Sequence, residues 1–186
     1  MRFSGRTLAA LATVLLTVLP VTNTRAQPLA PAQSVPLHSN GIGPLLLGAE
    51  LKSAAIRARP LDPVALPVGP GCDGRDEFAI RIALSGEPVT VMAMADANSK
   101  IEEIIIEADT LQRARTADGE ACLDLAKDFA GKFSAALGPY QTISSEQKPA
   151  TVEYHLNFAD GPSVRARWFR GGGHCDFALY IVQAGD

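Results

Sequence analysis

The chain has 186 residues, 47% of them hydrophobic and 20% charged, with 17 basic and 20 acidic side chains and a formal charge of −3. That balance excludes a general binder of nucleic acid or of anionic membrane surfaces, both of which need clustered Lys and Arg. No CxxC, HxH or HExxH spacing occurs among the three cysteines and three histidines, so no metal motif is written into the chain.

Arg2 and Arg6 precede an apolar run of twelve residues at 8–19, which Pro20 closes. A bilayer-spanning helix needs about 20 apolar residues, so the run is too short to stay in a membrane. Thr24 and Ala26 supply the small residues of a cleavage site before Gln27, so residues 1–26 read as a signal peptide. Removing them takes away Arg2, Arg6 and Arg25 and no acid, which moves the formal charge to −6. The expected product is soluble and periplasmic or secreted, with no stable membrane insertion. Residues 27–40, with Pro28, Pro31 and Pro36, are expected to be a flexible Pro/Ala-rich segment.

From Gly41 the pattern tightens. Leu51, Ala54, Ala55 and Ala58 form the apolar stripe of a short helix that Arg59-Pro60 ends. The four prolines and three glycines of 60–74 predict a loop. Three strands are predicted next, over 78–84, 89–95 and 101–108, the last with apolar residues on both faces and hence central. There Ile104 and Ile106 are expected to share a face with Glu102, and Ile101 and Ile105 to lie opposite with Glu103. A second helix carries Cys122, Leu125, Ala126, Phe129, Phe133, Ala136 and Leu137 on one side, with Asp118 and Glu120 at its start and Gly138-Pro139 as its stop. Strands at 152–158, 164–169 and 176–183 follow. The expectation is an α+β fold with two helices packed on antiparallel meanders in the order helix, three strands, helix, three strands. It forms one domain, 41–186, made of two similar halves, 41–108 and 109–186.

The glycine-rich stretch GIGPLLLGAEL at 41–51, leading into a short helix, resembles the start of small envelope domains of the SmpA/OmlA type. The tandem helix-and-meander order is similar to that of the β-lactamase inhibitor protein family. The lipid-attachment cysteine of the SmpA/OmlA lipoproteins has no counterpart here. The resemblance implies binding of another envelope or secreted protein rather than catalysis.

Exported chains meet an oxidising compartment, so two of Cys72, Cys122 and Cys175 are expected to pair. Cys122 with Cys175 is preferred, since one lies on the apolar face of the second helix and the other begins a strand of the same half. Pairings that use Cys72, in the loop 69–74, stay open. His174-Cys175-Asp176 holds three possible ligands, but neighbouring strand residues point to opposite faces and cannot converge on one ion. Glu102 and Glu103 are separated in the same way. His155 lies beside Glu153 and Asn157 on a solvated strand face. No nucleophile elbow or phosphate loop is present, so no catalytic residue, metal or cofactor is assigned.

The most suggestive surface is Arg165, Arg167, Phe169 and Arg170 around Trp168. Arginine with aromatic side chains is typical of binding hot spots. At period two, Arg165, Arg167 and Phe169 share one face while Trp168 joins Val164 and Ala166 toward the core. The plainer alternative pairs these arginines with Glu153 or a neighbouring acid on a solvated face. The expected function is that of a non-catalytic protein-binding module of the envelope. The alternative is a periplasmic binder of a small ligand or metal, or an unrecognised hydrolase.

Overall fold

In a computed structural model, residues 35–108 and 114–182 are described, all within one compact unit. Their elements, in chain order, are β1 (Leu37–His38), β2 (Gly41–Ile42), β3 (Leu45–Leu46), α1 (Leu51–Ala58), a 3-10 turn (Arg59–Leu61), β4 (Gly69–Pro70), β5 (Asp76–Leu84), β6 (Glu87–Ala95), β7 (Ile101–Ala108), β8 (Ala114–Arg115), α2 (Gly119–Gly131), α3 (Ser134–Leu137), β9 (Thr142–Gln147), β10 (Thr151–Asn157), β11 (Ser163–Phe169) and β12 (His174–Val182). The class is α+β, with the sheets antiparallel throughout.

One large sheet organises the molecule, in the order β4-β5-β6-β7-β12-β11-β10-β9, with β8 also paired to β12. Two meanders, β5-β6-β7 and β9-β10-β11-β12, therefore meet at a seam where β7 and β12 run antiparallel, Ile105 opposite Tyr180 and Glu107 opposite Ala178. The turns that build the meanders are tight. Leu84 pairs with Glu87 across Ser85-Gly86, both at positive φ, the geometry that suits a two-residue hairpin.

Alternation puts Phe78, Ile80, Val89, Val91, Ile104, Ile106, Leu156, Val164, Leu179 and Ile181 on one side of this sheet, where they form a single core with the helices. α1 lies against β5 and β6, and α2 crosses β10, β11 and β12. Phe129 of α2 meets Phe133 edge-on at 4.8 Å and Phe177 of β12 at 5.1 Å. The three short strands β1, β2 and β3 form their own small sheet on the same core, through Leu37, Ile42 and Leu45. Gly41 is required there, because at φ +152° a Cβ would stand 2.2 Å from the Leu45 carbonyl oxygen.

The structure departs from the sequence reading in four places. First, the element order is richer than helix-three strands-helix-three strands. β1, β2 and β3 precede the first helix, and β9 gives the second half a fourth long strand. All six residues of β9 are exposed, so they carry no apolar alternation to announce a strand. Second, the segment 27–40 expected to be flexible is built into the fold from Val35 onward, with Val35 and Leu37 buried; residues 27–34, like the signal-peptide expectation for 1–26, lie outside the described residues.

Third, the second helix is broken. The Lys132 and Phe133 N–H groups bond three residues back, to Phe129 and Ala130, tightening the last turn before α3 begins. Fourth, a β-bulge at Met94/Ala95 sets Glu103 opposite Met94 and Ile101 opposite Ala95. Glu102 is the extra residue, so Ile101 joins Ile104 and Ile106 in the core rather than facing away from them.

Candidate functional site

The helices leave the other face of the large sheet uncovered among the described residues. Its side chains fall in rows across the strands. One row runs Thr90, Glu107, Ala178, Arg165, His155 and Ser144; the next runs Asp176, Arg167, Glu153 and Glu146. Ala178, at the middle, offers only a methyl group, while Glu107, Arg165 and Tyr180 around it are long and Asp176 borders it. That difference in reach hollows out a groove of about 460 Å³, lined also by Arg167, Glu153 and His155.

The charges in this groove are arranged in contact. The Arg165 guanidinium carbon sits 4.4 Å from the centre of the Tyr180 ring, and its Nε donates to Ser163 Oγ at 3.4 Å. This is cation–π stacking on a ring that the sheet half-buries. Burial pushes the Tyr180 hydroxyl above its ordinary pKa, a shift that the Arg165 charge opposes. Arg167 Nε donates to Glu153 Oε1 at 2.9 Å, and Lys148 Nζ donates to Glu153 Oε2 at 2.7 Å. Those hydrogen bonds and charges, that of Lys148 foremost, hold the Glu153 carboxyl below its usual range. The Arg167 side chain stays 54% exposed while Glu153 is 15% exposed, so the pair shows its cationic end to solvent. Asp176 Oδ1 is buried and has no hydrogen-bond partner among the described residues.

The structure brings Arg165 and Arg167 together in this groove, and Phe169 stands at its end, its ring 6.0 Å from the Arg167 guanidinium carbon. Arg170 is not brought there. Its guanidinium bonds the Gln147 side chain and lies 5.9 Å from the Trp168 ring, which packs toward the core. Sequence reasoning missed Glu107, Ala178 and Tyr180, and weighed Asp176 only as a metal ligand beside His174 and Cys175. Alternation along β12 puts Asp176, Ala178 and Tyr180 on one face, but the β7–β12 pairing that carries Glu107 beside them joins residues far apart in the chain.

Beneath the sheet, the structure joins Cys122 to Cys175, with their Cα atoms 5.4 Å apart, and leaves Cys72 free and exposed. Among the described residues, no cluster of three or more His, Cys, Asp or Glu side chains is placed to hold a metal ion. None of their helices is long and apolar enough to cross a membrane.

No protein-family model, curated protein or solved structure matches this chain. Function therefore has to be argued from the groove and the face around it.

Proposed function

We propose that this is an exported, non-catalytic protein that binds another envelope or secreted protein through the open face of its large sheet. The observation that carries this reading is the groove over Ala178, where Arg165, Arg167, Tyr180, Glu107 and Glu153 present both charge signs and an aromatic ring on a rigid strand platform. Mixed charge with arginine and aromatic side chains suits the irregular polar surface of a folded partner, and electrostatic complementarity of this kind sets specificity and association rate. A periplasmic or secreted location is part of the proposal. It is supported by the Cys122–Cys175 disulfide and by the signal-like composition of residues 1–26. The resemblance of residues 41–51 to the SmpA/OmlA type points to protein binding as well.

The test is quantitative capture from periplasmic extract with the protein and with an Arg165→Ala/Arg167→Ala double variant. A partner retained by the first and reduced at least ~10-fold with the second supports the face, since truncation of a hot-spot arginine costs 2 kcal/mol or more. Equal retention by both removes this face as the binding surface. A bound small molecule in native mass spectra, with no captured protein, replaces the reading with that of a small-ligand binder.

A further inference from the structure

The two ends of the large sheet are finished differently. At one end, the outer side of β5 is capped. Gly69 and Pro70 of β4 pair with Glu77 and Asp76, and the buried Asp62 carboxylate accepts the outward N–H of Arg81 at 2.8 Å. Such covering, with Pro63, Pro67 and Pro70 in the same loop, is how natural sheets block stray pairing. At the other end β9 closes the strand order with six exposed residues, TISSEQ, and contains no proline. Its acid is occupied within the same copy, because Lys148 reaches back to both Glu146, at 3.4 Å, and Glu153.

The backbone of β9 has a defined outward side. Lys148 N–H donates to the Thr151 carbonyl across the β9–β10 hairpin. Antiparallel ladders alternate, so the N–H and C=O groups of Gln147, Ser145 and Ile143 point away from β10.

We propose that β9 pairs with β9 of a second copy of this chain, antiparallel, about a twofold axis through Ser145. Ser145 then faces Ser145 of the second copy, Ile143 faces its Gln147, Ser144 its Glu146 and Thr142 its Lys148. Every outward-pointing residue of β9 sits in a hydrogen-bonded pair in this register, and no like charges are directly opposed. Pairing centred on Glu146 sets carboxylate against carboxylate. Pairing centred on Gln147 brings Pro149, which has no N–H, against Ser145. A twofold axis normal to the sheet is isologous and keeps both open faces on the same side. It also places Gln147 of the second copy over Ile143, which is 44% exposed in the single chain. The product is one continuous sheet carrying two grooves.

Sedimentation equilibrium of the purified protein tests this directly, and the expected result is a concentration-dependent dimer. Ser145→Pro removes an N–H that points away from β10, a position where edge strands tolerate proline. It is expected to weaken the dimer at least ~10-fold in dissociation constant while near-ultraviolet circular dichroism stays unchanged. As a second variant, Ser145→Cys in a Cys72→Ser background brings two thiols into a hydrogen-bonded pair with Cα atoms about 5.5 Å apart, within disulfide reach. Air oxidation is expected to yield a covalent dimer that folds like the parent. A monomeric parent protein overturns the proposal. So does a dimer that survives Ser145→Pro, or an absence of cross-linking by Ser145→Cys.

Discussion

Glu153 stands between two cations, Arg167 and Lys148, each donating to one of its carboxylate oxygens. Its depressed pKa means that the folded state binds the ionised form more tightly than the unfolded chain does. Stability from this contact is therefore fully present above the ordinary value of 4.5 and is lost as pH falls through 4.5 and on through the lower folded value. Urea midpoints measured across that window are expected to drop, and Glu153→Gln should flatten the drop; an unchanged slope would show that other acids control it. At this scale the sequence was readable along a single strand and for one charge partner on the neighbouring strand. The alternation of Arg165, Ala166, Arg167 and Trp168 set each residue's face, and Glu153, weighed with its neighbouring acids as a partner for the arginines, is bonded by Arg167. Tyr180 under Arg165 was not readable, because that stacking depends on which strand lies beside β11.

Elements were legible in proportion to their apolar pattern. The strands β5, β6, β7, β10, β11 and β12 carry a run of buried apolar residues, mostly at alternate positions, and could be seen in the sequence. β9 buries none of its residues and was missed for that reason. The broken second helix shows the opposite effect, since the apolar spacing runs through Phe133 to Leu137 while the backbone tightens at Lys132. Cys122 and Cys175 link α2 to β12 and close a loop of 53 residues. In the chain-entropy picture that crosslink contributes roughly 4 kcal/mol. A Cys122→Ala/Cys175→Ala double variant is expected to lower the thermal midpoint accordingly. A loss well under 1 kcal/mol would mean that the packing of Phe129 on Phe177 already fixes the helix.

For the molecule as a whole, the α+β class was visible but the joining of the two meanders was not. Apolar residues on both sides of β7 mark a central strand; they do not say which strand pairs with its second edge, and only one of its faces is fully buried. The answer is β12, which the pattern along the chain does not specify, because pairing between distant segments is a property of three-dimensional register. Ending the chain at Gly173 deletes β12 and exposes the inner edges of both β7 and β11. That truncation is expected to abolish cooperative unfolding altogether. If it kept a sharp transition, each meander would be a separately folding unit.

The seam has a bearing on the order in which the chain can fold. β12 is the middle strand of the sheet, yet it follows all the others in chain order. As the polypeptide emerges from the ribosome, β5, β6 and β7 wait with an unpaired edge until the whole second half has been made. Contacts of such long sequence separation form slowly. For the exported protein proposed above, a sheet that closes this late would leave the nascent chain threadable, the state that a narrow secretion channel accepts.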